Sequence, residues 1–365
     1  LVGAATGAAQ RSDLVFGVPR EGRSLLAGAH DWCAWESVRR SVGALSNDPV
    51  ARRELSARIH FATDRLDTAV QSCFGLVDGA RVAWVHDGAP TAWSGARALS
   101  SALSAVCDRS FPEAPLVRNE LLNRRSLSSA AAAARRSLLD AMIEHGARPR
   151  LGIEGTPPEY SMYASLLAAG GLHREVRGRW GYGAPLGDDP MRLAPTWKRI
   201  EAFLDGTEVE ARPLRALFDE LARRPIGLRE GPMPVLFFAV VLSTPGEVAL
   251  FEDGSFVPEI TGAVVERLLR RIDHFAVARY RLDAGRIEVL RALWSVLGFE
   301  GESGKPIELT RAVVRRVSQL PRYSRGTRSV GAVAIAARDA VLTARDPLRL
   351  LFRDLPGALG MTPIG

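Results

Sequence analysis

The sequence predicts a mainly α-helical protein with small β elements, which places it in the α+β class. Apolar residues recur at helical spacing along most of the 365 residues. Alternation typical of strands is confined to residues 81–86, 247–258 and 275–282. The predicted order of helix, helix, hairpin, helix and strand over residues 213–283 is typical of a winged-helix-like unit. We therefore expect tandem winged-helix-like and helical-bundle units.

Length and breaker-rich segments predict several regions, because a chain of this size can form two or three domains with ample core. Residues 1–23 are rich in Gly and Ala and predict a linker. The remaining regions are predicted as an N-terminal helical region over 24–110, a central helical or winged-helix-like domain over 111–212, a winged-helix-like domain over 213–283 and a C-terminal helical region over 284–365.

Turn and breaker residues mark the ends of the helical patterns in the first half of the chain. Predicted helices cover residues 24–43, 50–69, 96–107, 129–145 and 159–169. The strand over 81–86 ends at Asp87-Gly88, a turn signal. Pro112 stops any helix that arrives from upstream. The glycine- and proline-rich residues 180–195 predict an exposed loop.

The second half continues with helices and one hairpin. Predicted helices cover residues 196–204, 213–223, 234–242, 260–272, 286–297, 309–320, 329–343 and 347–354. The apolar run PVLFFAVVL over 234–242 predicts a buried helix, and the loop before it holds two glycines and three prolines. Asp253-Gly254 predicts the turn of the hairpin over 247–258.

The most informative stretch is residues 111–145, FPEAPLVRNELLNRRSLSSAAAAARRSLLDAMIEH. It predicts a short helix, a tight turn and a longer helix that starts at Ser129. Ser126 and Ser128 are candidate N-caps, because a serine oxygen accepts from the free N–H groups of a first helical turn. Gly146 is a plausible residue to end the long helix.

Charge and cysteine content indicate which partners and which cellular compartment to expect. Lys and Arg number 48 against 41 Asp and Glu, a net charge of +7 that permits contact with a polyanion. Over this length +7 is modest, so a merely solvated basic surface is the other interpretation. Three cysteines without a C-x-x-C pair predict buried free thiols in a reducing cytoplasm. No apolar run approaches the ~18 residues of a membrane span, so we expect no membrane partner.

The sequence offers no constellation for catalysis, a metal or a cofactor within this chain, although an unrecognised enzyme stays a third hypothesis. Residues 298–306 (GFEGESGKP) fail the Walker A spacing, and Pro306 stands where a Ser or Thr would hold magnesium. The six histidines lack the spacing of a metal motif such as H-E-x-x-H. We therefore assign no catalytic residue, no metal ligand and no cofactor.

The strongest polar site predicted from the sequence is the cluster Arg118, Asn119, Arg124 and Arg125. Arginine forks suit phosphate, so these residues are candidates for binding nucleic acid or a nucleotide held by another domain. The alternative is an internal salt-bridge hub in which Glu120 and Asn119 fix the arginines. Both interpretations remain open from the sequence.

A second set of candidates lies after the predicted wing. If the turn at Asp253-Gly254 and the following helix faced DNA, the nearest donors would be Arg267, Arg270 and Arg271. The turn itself is acidic and apolar, however, because Phe251 and Glu252 precede it, and this argues against an ordinary DNA-reading wing.

Several segments resemble a known family. FPEAPLVRNELLNRRSLSSAAAAARRSLL (111–139) resembles the NEL-x-NR segment of the large multidomain P-loop ATPases of BREX-type bacterial phage-defence operons. RRPIGLREGPMPVL (223–236) resembles a further segment of that group, with Ile226 in place of the expected Tyr. VALFEDGSFVP (248–258) and ARDPLRLLFRDLPGALG (344–360) are similar to its downstream region.

The resemblance implies a region carboxy-terminal to an AAA-like ATPase module, in a cytoplasmic antiviral defence setting. This chain departs from the family in having neither a Walker A loop nor a Walker B strand in its sequence, so no ATPase residue is transferred. The first hypothesis is thus a non-catalytic, ATPase-associated segment that contacts double-stranded DNA or assembles with an ATPase module or other defence-system proteins. The alternative is a protein–protein interaction scaffold without nucleic-acid binding.

Overall fold

The computed structural model describes residues 12–41, 43, 48–74, 82–93, 95–208, 210–282, 284–299 and 305–363. It is 59% helical with 11% strand in small antiparallel sheets, which confirms the mainly α, α+β class. The chain forms two compact units, Leu1–Pro112 and Glu113–Gly365. Most of the segment 298–306, with its rejected Walker A spacing, lies outside the described residues.

In the described part of the first unit, one small sheet is joined to three helices. Its strands are β1 (Val15–Pro19), β2 (Val82–His86) and β3 (Ala89–Thr91), and its helices are α1 (Arg23–Ser41), α2 (Pro49–Phe74) and α3 (Gly95–Ser110). Strand β2 pairs antiparallel with both β1 and β3. The described end of the predicted linker therefore differs from the prediction, because residues 15–19 form an edge strand. This strand has few alternating β-branched residues, so its sequence signal is weak.

The cysteines lie in this unit. Cys73 is buried, as predicted, whereas Cys33 and Cys107 are exposed, so the prediction of buried thiols is wrong for these two. Helical periodicity could not predict the exposure of Cys33, because the apolar side chains of α1 are themselves half-exposed or exposed in the structure.

The second unit begins with elements that surround the central stretch. Its first helices are α4 (Glu120–Asn123), α5 (Ser129–His145), α6 (Pro158–Met162), α7 (Ala194–Asp205), α8 (Leu214–Ala222) and α9 (Met233–Ser243). A π-helical turn, Tyr163–Ala168, continues α6, and β4 (His173–Val176) pairs with β5 (Arg179–Tyr182). Residues 180–182 were predicted as loop. The hairpin turn is Arg177-Gly178, both at positive φ, and arginine is not a residue that signals such a turn.

The rest of the second unit holds the four-stranded sheet and the C-terminal helices. The strands are β6 (Arg212–Pro213), β7 (Val248–Glu252), β8 (Ser255–Phe256) and β9 (Phe275–Arg279), in the antiparallel order β6-β9-β7-β8. The helices are α10 (Gly262–Arg270), α11 (Ala284–Val296), α12 (Pro306–Ser318), α13 (Arg322–Gly326), α14 (Ala332–Leu342), α15 (Pro347–Arg349) with a π-helical turn Leu350–Asp354, and α16 (Leu355–Ala358).

One large apolar core extends from Val117 to Val277 and is centred on α9. Every residue from Met233 to Val241 is buried, which confirms the helix predicted from PVLFFAVVL. The predicted boundary at 212/213 falls inside this core. A smaller core joins α11, α12, α14 and the turn Leu350–Asp354. Among the described residues, no helix is both long and apolar enough to cross a membrane.

A buried arginine with two partly exposed carboxylate partners connects the sheet to α7. The guanidinium of Arg279 on β9 lies 3.0 Å from a carboxylate oxygen of Asp205 and 3.0 Å from one of Glu247. From α8 to β9, the order of helix, helix, hairpin, helix and strand is as predicted for residues 213–283. Asp253 and Gly254 both have positive φ, as a two-residue hairpin turn of this kind requires.

A buried histidine joins the β4–β5 hairpin to α5 and α6. The Nε2 of His173 lies 2.8 Å from the carbonyl oxygen of Gly146 and must donate, since a carbonyl only accepts. Nδ1 therefore accepts from the hydroxyl of Tyr163, at 3.1 Å. The rings of Trp180 and Tyr182 pack against the imidazole. This geometry holds a neutral imidazole in one tautomer.

The buried imidazole makes stability depend on pH. Burial lowers the pKa of His173, so the unfolded chain takes up its proton more readily than the folded chain does. Its stabilising contribution is complete above the unfolded pKa, about 6.5, and is lost as pH falls from there through the folded pKa. We expect the urea midpoint to fall more steeply between about pH 7.5 and 5.5 in the wild type than in His173→Gln. Equal pH dependence in the two proteins would contradict this.

Candidate polyanion-binding surface

The candidate surface is built on the short helix α4 and the turn that follows it. Asn119 caps this helix: its side-chain oxygen accepts from the backbone N–H of Leu121 at 2.9 Å and from that of Leu122 at 3.2 Å. Its amide nitrogen donates to the hydroxyl of Ser165 on the π-helical turn, at 2.8 Å. Asn119 is only 7% exposed. This candidate residue therefore fixes the turn to its neighbours, and its amide is not presented to a ligand.

The exit from α4 is fixed by two further side chains. The amide of Asn123 donates to the carbonyl of Val117, which closes the short helix back on its own entry. Ser128 accepts from the backbone N–H of Ala131 at 3.3 Å and is the N-cap of α5, as predicted. The two asparagines of the NEL-x-NR segment thus build a tight, internally bonded turn.

The loop over residues 223–232 packs directly against this turn. At Gly231, an added Cβ would lie 2.0 Å from the backbone oxygen of Leu122, a distance that no side chain can tolerate. Only glycine allows the two backbones to approach this closely. The contact joins two segments that are about a hundred residues apart in the sequence.

Arg135 holds the same loop from the other side and was not among the predicted site residues. It is 9% exposed, and its guanidinium donates to the backbone oxygens of Glu230 and Gly231, each at 3.4 Å. Burial lowers its pKa, but an arginine stays charged at neutral pH all the same. One feature of the sequence could have predicted that Arg135 faces the core. Ala131 and Leu139 lie four residues to either side of Arg135, at the spacing of a core-facing position.

Three arginines project from this braced turn. Arg118, Arg124 and Arg125 are exposed, and within the described part of the chain none of their guanidiniums has a hydrogen-bond or ion-pair partner. Arg229, two residues before Gly231, is also exposed and unpaired by the same measure. The geometry therefore favours free cationic groups over the internal salt-bridge hub.

The second set of candidates, on α10, has different electrostatics. Arg267 forms a two-pronged pair with Glu252 at 2.7 and 2.8 Å, and this hydrogen bonding lowers the pKa of the carboxyl group. Arg270 pairs with Glu266 at 2.8 Å. The side chain of Arg271 is exposed and has no partner within the described residues. Of the three, only Arg271 offers an uncompensated charge.

Basic side chains in and near the turn beside α10 also lie next to carboxylates. The imidazole Nδ1 of His274 lies 2.6 Å from a carboxylate oxygen of Asp253, and Arg215 donates to Asp273 at 2.9 Å. Acidic groups thus accompany most of the basic ones around the hairpin. In the described part of the chain, no group of three His, Cys, Asp or Glu residues is placed to hold a metal ion.

The backbone contact at Gly231 gives a direct mutational test. Gly231→Ala should lower the free energy of unfolding by about 1–3 kcal/mol, because the new methyl group forces the loop away from Leu122. Gly357→Ala is the matched control, since a Cβ there meets nothing within 4 Å. Denaturant unfolding of both variants measures the difference. A Gly231→Ala protein as stable as the control would contradict the close approach.

No family model, curated protein or solved structure matches the chain. The resemblance of four segments to the BREX-type ATPases, residues 111–139 and 223–236 among them, therefore stays a prediction. In the fold, these two segments contact each other through the pair Leu122–Gly231 and through Arg135.

Proposed function

We propose that this chain is a non-catalytic segment that binds the phosphate backbone of double-stranded DNA through Arg118, Arg124 and Arg125. The observation that carries the proposal is the set of three exposed guanidiniums at the two ends of the short helix α4, which have no partner among the described residues. An arginine held by a carboxylate must exchange that partner for a phosphate, whereas an unpaired one loses only water. A free guanidinium fork also matches the phosphate oxygens in pairs.

The bracing of the turn supports the same function. Asn119 and Ser128 cap the two helices, and the loop at Gly231 fixes the backbone between them. A rigid backbone lowers the entropy lost when the arginines meet the phosphates. Contacts of this kind position a protein on the duplex and carry no base sequence information. The expected binding is therefore weak, indifferent to sequence and sensitive to salt.

The resemblance supplies the proposed biological setting. We place the segment carboxy-terminal to an ATPase module in a cytoplasmic, BREX-type anti-phage defence complex. In this setting the winged-helix-like region over 213–283 is a spacer or secondary contact, because the charges of Arg267 and Arg270 are already compensated. The alternative is an interaction scaffold without nucleic-acid binding, which the exposed apolar residues near the C-terminal end favour.

Binding to an unspecific duplex of about 30 base pairs, followed by fluorescence anisotropy, tests the proposal. The triple variant Arg118→Ala/Arg124→Ala/Arg125→Ala should bind at least about tenfold more weakly at low salt. The wild-type slope of log K against log salt should be steeper by roughly three, as expected for three lost phosphate contacts.

The control removes the same charge elsewhere in the second unit. Arg179, Arg199 and Arg353 are exposed and unpaired within the described residues, so Arg179→Ala/Arg199→Ala/Arg353→Ala lowers the net charge equally. We expect this control to keep most of the affinity. Equal losses in the two triple variants would mean that net charge alone drives binding. If the wild type does not bind the duplex even at low salt, the proposal of DNA contact is wrong.

A further inference from the structure

The segment over residues 320–336 leaves apolar side chains open to solvent. Tyr323 on α13 is 73% exposed and Val333 on α14 is 54% exposed. Leu320 and Val330, between and beside these helices, are exposed as well. Single apolar residues on a surface are ordinary, but four within fourteen positions form a concentration that marks an interaction site.

The exposed face continues along the first turns of α14. This helix begins with the wholly apolar run AVAIAA, and Ala332, Val333, Ala334 and Ala336 in it are exposed. The helix packs against α12 and α16, and Val341 in its last turn is buried. The last turn of α14 therefore belongs to the core, whereas apolar side chains of its first turns are exposed.

The segment that carries these apolar residues is rich in arginine. Between Glu308 and Asp339 the sequence has seven arginines and no acidic residue. Three of them are engaged: Arg311 donates to the carbonyl of Pro258, Arg315 to Glu259, and Arg338 to Asp339 and to backbone oxygens. The other four, which the structure describes as exposed and unpaired, are Arg316, Arg322, Arg325 and Arg328.

The segment between the two helices is held in place. The side chain of Arg338 is 10% exposed and donates to the carbonyl of Thr327 at 2.7 Å and to that of Ser324 at 3.3 Å. The hydroxyl of Thr327 accepts from the backbone N–H of Ser329 at 3.1 Å. These bonds tie the end of α13 to α14, so the apolar and basic groups occupy fixed relative positions.

We infer that this apolar–basic surface, residues 316–336, docks an acidic amphipathic helix of a partner protein. Aliphatic groups such as Val333 gain affinity only from burial against other apolar groups, which a partner helix supplies and a phosphate backbone does not. Carboxylates of the helix would then meet Arg322, Arg325 and Arg328 around the contact. A membrane surface is disfavoured, because α14 has no Trp or Phe, the aromatic residues that anchor interfacial helices on their apolar side.

The test uses the whole chain and a labelled model helix of about 20 residues built from Glu, Leu and Ala, with the leucines at core spacing. Its control peptide keeps the glutamates and carries Ser in place of Leu. Fluorescence anisotropy should give affinity for the Leu peptide at least about tenfold higher than for the Ser peptide. Equal affinity of the two peptides would overturn the proposal, because charge alone would then explain binding.

Two variants locate the contact. Val333→Asp and the triple Arg322→Ser/Arg325→Ser/Arg328→Ser should each weaken the Leu peptide by at least about tenfold. The triple alanine variant of Arg179, Arg199 and Arg353 should leave its affinity unchanged. Circular dichroism confirms that the variants keep the wild-type helical content, so a loss reports the surface itself.

Other occupants give different results. Vesicles with about 30% anionic lipid and duplex DNA are tested in the same way. The partner-helix proposal is wrong if either of them binds the wild type, binds Val333→Asp more weakly, and the Leu peptide does not bind at all. A wild-type dimer in sedimentation that Val333→Asp converts to monomer would assign the face to a second copy of this chain. If Val333→Asp and the triple serine variant both bind the Leu peptide as tightly as the wild type does, the peptide binds elsewhere and the proposal for residues 316–336 is wrong. None of these outcomes depends on Arg118, Arg124 or Arg125, so this proposal and the DNA proposal can fail separately.

Discussion

A buried arginine that bonds only to backbone determines the shape of the candidate surface. Arg135 points from α5 into the interior and donates to the carbonyls of Glu230 and Gly231. Those carbonyls belong to a loop that touches the backbone of Leu122 so closely that only glycine fits. A buried charge is costly, and because the buried Nε of Arg135 has no partner among the described residues, the two bonds to the loop offset only part of that cost. The NEL-x-NR turn is held between them.

The two groups of arginines differ in what the fold does with their charge. Around the hairpin, Glu252 and Glu266 compensate Arg267 and Arg270, and such exposed pairs contribute little to stability. On the braced turn and beside α14, by contrast, most of the exposed guanidiniums have no carboxylate partner among the residues that the structure describes. Two groups of exposed arginines in the described part of the second unit thus differ in their surroundings, one lying on a polar turn and the other near apolar side chains. Such a difference in surroundings suits two different kinds of partner.

Local patterns in the sequence predicted most helices, since periodicity, caps and breakers act within a few residues. The run PVLFFAVVL and the cap Ser128 are examples. Contacts between distant segments could not be predicted in this way. Nothing near Gly231 reveals that Leu122 will lie against it, and the pairing of Arg267 with Glu252 requires the hairpin to fold onto α10. The sequence identified the polar cluster at 118–125, but the structure shows that Asn119 in it is a buried N-cap of α4.

Hydrogen–deuterium exchange of Arg135→Met tests most directly whether the buried guanidinium holds the candidate surface in place. Methionine preserves much of the apolar stem and removes the donors to Glu230 and Gly231. The account predicts faster exchange of the backbone amides in residues 119–125 and 226–232, with unchanged rates in α10 and β9. Wild-type exchange rates in both of the first two segments would contradict it, because the turn and the loop would then keep their positions without Arg135.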